Sequence, residues 1–326
     1  MSPGSSNLKN YLSTGLVWMM TLISVGWVEA HQRGIPWGCD DRWGENLIGD
    51  SMTWYHHWAD GNIPQLDKKG MEYVPTCWGP SKFDKWNQRK SEMNRKLPEH
   101  LLSFNEPDVQ GQATMGPKDA ARLWMKEMQP WARKGVKVST PQLCFDMGWL
   151  NQFMSECRKL GCEISFIALH WYGSYQDMDR LKRWVQKVHS TYPGYPIWLT
   201  EYGITSSSHP SQWQVTQFHK EAAAWLEGTG YVERAAWLGG FSVDDPPDAY
   251  PSALNAYFDA SGHLREIGKW AATSSIPGKR KNPSPSTHQQ QATSRGGQRG
   301  DGERHSSKKK PYKAKHRHHR HSHGRS

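Results

Sequence analysis

Eight short apolar runs recur at near-regular intervals through the middle of this chain, at 33–38, 52–55, 72–77, 101–105, 136–140, 164–170, 196–200 and 235–240. Apolar at consecutive positions and bounded by turn residues, they suit strands covered on both faces. Between several of them, apolar residues recur three and four apart, which predicts helices over 119–134, 150–160, 178–189 and 212–226. The last follows Ser211, a suitable N-cap, and runs into Gly228 and Gly230. Alternating strand and helix over about 245 residues predicts an α/β fold with a parallel sheet, and eight such units match a closed (β/α)8 barrel. The competitor is a doubly wound open sheet. That fold normally carries a glycine-rich phosphate loop after its first strand, and Gly34-Ile35-Pro36-Trp37-Gly38 lacks the spacing.

Both ends of the chain differ from this middle. Residues 1–30 combine Lys9, an uncharged stretch over 11–28, and Val28-Glu29-Ala30, whose small residues suit signal-peptidase cleavage before His31. A signal peptide and a secreted protein are expected, with an uncleaved anchor as the alternative, since about 18 apolar positions can span a bilayer. No second segment of that kind follows, so no membrane contact is expected after cleavage. The domain expected to carry function is 31–275.

From 276 to 326 the composition turns to Pro, Ser, Gln and Gly, with 14 Lys or Arg against Asp301 and Glu303. This tail therefore holds +12 of a chain whose net charge is +10, and everything before it sums to −2. Too few aliphatic residues remain to offset ordering entropy, so disorder is expected. The charge favours anionic cell-wall or matrix polymers through salt-sensitive attraction. A nucleic-acid partner is not expected, because no aromatic platform is interleaved with the charges. His316, His318, His319, His321 and His323 allow loose metal binding, but no cysteine partner accompanies them, and no structural metal or cofactor is expected.

Two of the apolar runs end in glutamates followed by turn chemistry, Phe104-Asn105-Glu106-Pro107-Asp108 and Trp198-Leu199-Thr200-Glu201-Tyr202-Gly203. On a barrel they end the fourth and seventh strands, at the face where such barrels carry function. Paired carboxyls suit glycosidic bond cleavage: one holds a proton for the leaving oxygen while the other stays ionised toward the anomeric carbon. Glu106 and Glu201 are the candidate catalytic pair.

These motifs, with Leu169-His170-Trp171-Tyr172-Gly173, Arg33-Gly34-Ile35-Pro36-Trp37 and Trp54-Tyr55, resemble the fungal-type catalytic domain of glycoside hydrolase family 128, β-1,3-glucanases of a clan with its acid/base glutamate after strand four and its nucleophile after strand seven. The resemblance covers about residues 32–272. It implies a retaining mechanism with Glu106 as acid/base and Glu201 as nucleophile, no cofactor, and β-1,3-glucan as the polysaccharide partner. It also implies that Asn105 bonds the sugar 2-hydroxyl, which requires a bend at the strand end to bring both Asn105 and Glu106 to the cleft. One departure stands at His56-His57-Trp58, where Tyr and Asn are expected before the Trp.

Tyr172 is placed to hydrogen-bond Glu201, and His170 to polarise a carboxyl or bind sugar. Eighteen tryptophans suit a sugar cleft, because an indole face buries the apolar face of a pyranose. Trp37, Trp54, Trp78, Trp171 and Trp237 fall at or near strand ends and are the candidate sugar contacts. Five cysteines, Cys39, Cys77, Cys144, Cys157 and Cys162, allow up to two bridges in a secreted chain and leave one thiol over. Taken together, the residues predict a secreted endo-acting β-1,3-glucan hydrolase. Two alternatives stay open: a glycosidase or transglycosylase for another β-glucan linkage, and a non-catalytic glucan-binding protein of the cell wall.

Overall fold

The computed structural model describes residues 31–276. The expected signal peptide and the basic tail beyond 276 lie outside the described residues. Eight strands run in sequence: β1 (Gln32–Pro36), β2 (Met52–His56), β3 (Glu72–Val74), β4 (His100–Leu101), β5 (Lys137–Val138), β6 (Ile167–Gly173), β7 (Ile197–Ile204) and β8 (Val232–Trp237). Every pairing among them is parallel. Six strands form one sheet in the order β3-β2-β1-β8-β7-β6, and β4 pairs with β5. Isolated parallel bridges Thr76↔Leu102, Ser139↔Phe166 and Leu143↔Leu169 join the two sheets, so hydrogen bonding runs full circle. The chain is a closed (β/α)8 barrel, as its periodicity predicts.

The outer ring comprises α1 (Pro64–Asp67), α2 (Phe83–Arg95), α3 (Pro117–Glu127), α4 (Gln129–Ala132), α5 (Met147–Leu160), α6 (Met178–Thr191), α7 (Gln212–Glu227) and α8 (Glu266–Thr273). Ser211 caps α7 as expected, and Gln214 completes a capping box. The single helix expected over 119–134 is instead α3 and α4. Pro130 stands in the first turn of α4 and brings no backbone N–H, so the chain breaks at Met128. Neither α2 nor α8 was foreseen. The buried face of α2 is Trp86, Arg89 and Met93, and a charged residue in that row blunts the apolar signal.

Aromatic side chains fill the barrel. Trp198 stacks on Phe166 with ring centroids 4.0 Å apart and lies 5.4 Å from Trp54. Val74, Leu102, Ala168 and Ala236 complete this inner layer. Gly34 makes room for it: a Cβ there would come within 2.2 Å of the Trp54 ring. Below, toward the strand N-termini, the buried Arg234 guanidinium sits 4.1 Å from the Trp198 centroid and pairs with Glu72 at 2.6 Å. Glu72 also receives His100 at 2.7 Å, so the base of the barrel is closed by charge.

Trp198→Ala removes the ring that Phe166, Trp54 and Arg234 all rest against. A loss of about 3–5 kcal/mol is expected, as for other large-to-small changes in packed cores. Equilibrium urea denaturation measures it; a loss under about 1 kcal/mol would mean that the inner layer repacks freely.

Candidate active site

Glu201 reaches the cleft through an irregularity in β7. Strict alternation would turn Glu201 to the same side as Leu199, toward the outer helices. Between β6 and β7 the register runs Leu169↔Leu199 and then His170↔Glu201, so Thr200 is one residue extra. This bulge brings Glu201 opposite His170, while Leu199 and Tyr202 both join the outer core. His56, at the end of β2, fixes the bulge: its Nε2 lies 2.9 Å from the Thr200 carbonyl. A carbonyl only accepts, so Nε2 carries the hydrogen. Burial holds the His56 pKa down to about 3, which keeps the ring neutral in this role. The departure at His56-His57-Trp58 is thus partly structural.

Glu106 follows β4 by a different device. Its backbone lies in the left-handed region, φ 47°, which costs a non-glycine residue about 1–2 kcal/mol. Its N–H donates to the Gln142 carbonyl at 2.9 Å and its carbonyl accepts from Val109 at 3.0 Å, so the turn is pinned on both sides. Here is the bend that brings Asn105 and Glu106 together at the strand end. Asn105 is buried; its Nδ2 lies 3.4 Å from Gln112 Oε1, and its Oδ1 has no hydrogen-bond partner among the described residues.

The side chains converge on a fully buried imidazole. His170 Nδ1 lies 2.7 Å from Glu106 Oε1, and Nε2 lies 3.5 Å from Glu201 Oε1 and 3.4 Å from Gln142 Oε1. Glu201 also accepts from Trp58 Nε1 at 2.7 Å and from the Tyr172 hydroxyl at 2.8 Å. Cys144 Sγ donates to Glu106 Oε1 at 2.9 Å. Tyr250, from the loop after β8, meets Tyr172 edge to face at 5.6 Å.

Burial works against a charge on His170, yet the two carboxylates outweigh it and its pKa is raised. Burial raises the Glu201 carboxyl, as does Glu106 nearby, while His170, Tyr172 and Trp58 pull it down; the net direction is upward. The Tyr172 hydroxyl and the Cys144 thiol are each pushed well above their ordinary values, by burial first and then by neighbouring carboxylates, so both keep their hydrogens.

The candidate tryptophans fare differently. Trp54 lies inside the barrel, and Trp37, Trp171 and Trp237 pack outward beneath the helices, Trp171 on Phe218 and Trp237 on His219. All four are buried and present no ring face to a ligand, because the alternation of the strands turns them into the two cores. Trp78 is half-buried beside Asn105, whose N–H donates to its carbonyl at 2.9 Å, and it carries Lys82 4.6 Å from its ring centroid. Trp58 and Cys144 were missed. Trp58 stands four residues after Trp54, just beyond a strand end, which is the signal that applied to the others. Asp108 is a further omission: it accepts the backbone N–H groups of Cys144, Phe145 and Asp146 at 3.1–3.3 Å and ties the loop after β4 to the loop after β5.

Tyr172 also lines a groove of about 460 Å³, together with Ser174, Gln176, Asp177, Arg180, Ser207 and Tyr250. Of the five cysteines, Cys157 and Cys162 are bonded to each other, and Cys39, Cys77 and Cys144 are free.

Residues 34–271 match the profile of the glycosyl hydrolase catalytic core. Alkali-sensitive linkage protein 1 of Schizosaccharomyces pombe is 30% identical over 250 residues, which are 73% of this chain but only 44% of that protein. Among solved structures, a family 128 (subgroup III) curdlan-specific exo-β-1,3-glucanase from Blastomyces gilchristii, in complex with glucose, superposes with a TM-score of 0.61 at 27% identity over 74% of this chain and 97% of that one. A subgroup I endo-β-1,3-glucanase from Amycolatopsis mediterranei, in complex with laminaritriose and laminaribiose, gives 0.61 and 27% over 75% and 99%. On the barrel, the paired carboxyls and these matches, the chain belongs to the glycosyl hydrolase catalytic core family and groups with the family 128 enzymes.

Proposed function

We propose that this chain is a secreted, retaining β-1,3-glucan hydrolase of endo action, with Glu106 as acid/base and Glu201 as nucleophile. The observation that carries the reading is one buried imidazole linking two buried carboxyls at the strand C-termini of the barrel. Relatives support the substrate class. The Amycolatopsis enzyme was crystallised with laminari-oligosaccharides as variants in which one or the other of two glutamates is replaced. The groove that Tyr172 shares with Tyr250 leaves room for further sugar units beside Glu201, as endo action requires. The Cys157–Cys162 bridge suits an oxidising compartment.

In the first step Glu106 protonates the glycosidic oxygen while Glu201 attacks the anomeric carbon; water then attacks the glycosyl-enzyme, with Glu106 taking its proton. Trp58, Tyr172 and His170 all favour ionised Glu201 and offset part of the cost of its burial. The unpartnered Asn105 Oδ1 suits a sugar hydroxyl, whose hydrogen bond would strengthen in the transition state. A non-catalytic glucan-binding barrel is the second reading, favoured by how little of the two carboxyl residues reaches the surface: Glu106 is 7% and Glu201 5% exposed.

Laminarin incubated with the wild type is expected to yield β-configured oligosaccharides, resolved by chain length and anomeric configuration. Glu106→Gln is expected to lower kcat by about 10²–10⁴-fold, the usual worth of general acid catalysis. With azide, Glu201→Ala is expected to form an α-glycosyl azide and Glu106→Ala a β-glycosyl azide; the reverse pattern would exchange the two roles. Binding without cleavage in the wild type would establish the second reading instead.

Tyr172→Phe removes a hydrogen bond made to ionised Glu201. Because that bond lowers the Glu201 pKa, its loss is expected to move the acid limb of kcat/KM to higher pH. An unmoved limb with a lower kcat would assign Tyr172 to packing alone.

A further inference from the structure

Three ligand atoms of different chemistry meet beside the turn of Glu106. Glu106, Cys144 and His170 each bring one ligand atom within 4.8 Å of the other two, and Glu106 Oε1 lies 2.9 Å from Cys144 Sγ and 2.7 Å from His170 Nδ1. A serine hydroxyl would hydrogen-bond a carboxylate at least as well as a thiol does. What sulfur adds is affinity for soft cations. The cluster is also held in place. Asp108 gathers three successive N–H groups of the loop bearing Cys144, and it stands two residues beyond Glu106. His170 Nε2 faces two acceptors, Gln142 Oε1 and Glu201 Oε1, and Gln142 is itself oriented by donating from its Nε2 to the Ser103 carbonyl at 2.9 Å. Such outer partners keep hydrogen on Nε2 and leave the Nδ1 lone pair for a cation.

We propose that Glu106, Cys144 and His170 form a binding site for a thiophilic divalent cation, with Zn²⁺ as its model, and that occupancy silences hydrolysis by taking the carboxyl of Glu106. The silencing rests on the acid/base role proposed above; the binding does not. Zinc takes sulfur at about 2.3 Å and imidazole nitrogen or carboxylate oxygen at about 2.0–2.2 Å, with a fourth position open to water. The present separations of 2.9 and 2.7 Å are hydrogen-bond distances, and opening them to the edges of a tetrahedron moves each side chain by less than about 1 Å. Two protons leave for solvent, that of the thiol and the one held between His170 Nδ1 and Glu106 Oε1. Binding therefore tightens as pH rises.

Co²⁺ is the probe of choice, because a thiolate bound to it gives a near-ultraviolet charge-transfer band that histidine alone cannot. Residues 277–326 hold no cysteine, so their histidines stay silent in this measurement. The full chain is titrated with Co²⁺ and, in parallel, laminarin hydrolysis is followed with Co²⁺, with Zn²⁺ and after EDTA. One equivalent of thiolate band is expected, with hydrolysis lost in step and restored by EDTA. Cys144→Ala and Cys144→Ser are expected to lose the band and, each measured against its own metal-free rate, to need at least about tenfold more Zn²⁺ for half inhibition. Absence of the band in the wild type overturns the site, whatever hydrolysis does. A band that persists in both variants assigns the thiolate to Cys39 or Cys77 and overturns it equally. A Cys144-dependent band with undiminished hydrolysis overturns the silencing and, with it, the role of Glu106.

Discussion

One residue too many in β7 is the constraint on which the site depends. β6 and β7 agree in register up to Leu169 and Leu199, and Thr200 then breaks the alternation. Everything functional about Glu201 follows from that slip, because the next residue turns inward where the pleat would have sent it outward. The cost of a broken ladder is met locally. His56 takes the Thr200 carbonyl, and Trp58, two residues further on and just past the end of β2, takes the Glu201 carboxylate. The β2 end thus holds both sides of the β7 irregularity, backbone and side chain.

Glu106 and Glu201 sit in unlike settings, and the difference suits unlike jobs. Glu201 is in a strand, held by an indole N–H and a phenol O–H that both favour its ionised form. Glu106 is on a strained turn, faced by a thiol and by an imidazole that exchanges protons readily. His170 couples them. A proton gained or lost there alters the field at both carboxyls, so the three groups titrate as a unit.

The barrel was legible because its strands are covered on both faces, and continuous apolar runs such as 164–170 and 196–200 announce this locally. β4 and β5 are shorter than their apolar runs, because Phe104 and Asn105 on one side and Ser139 and Thr140 on the other continue as isolated bridges and turns. The pair Glu106 and Glu201 was legible from strand ends and turn residues alone. The tryptophans were not, because which face a strand residue takes depends on long-range register. Trp54 and Trp58 are four apart, and one plugs the barrel while the other touches Glu201. One lies in β2 and the other just past it, but where each ring ends up is set by what the rest of the barrel brings against them.

The aromatic plug has a further consequence. Trp54, Phe166 and Trp198 form an apolar floor between two sets of charges, His170 with its carboxyls above and Arg234 with Glu72 and His100 below. Below the floor a hollow of roughly 350 Å³ opens, with Lys137 and Glu233 on its wall. Packed rings screen charge less than water does, so a charge gained or lost around this lower mouth acts on the acid–base groups above through the barrel itself.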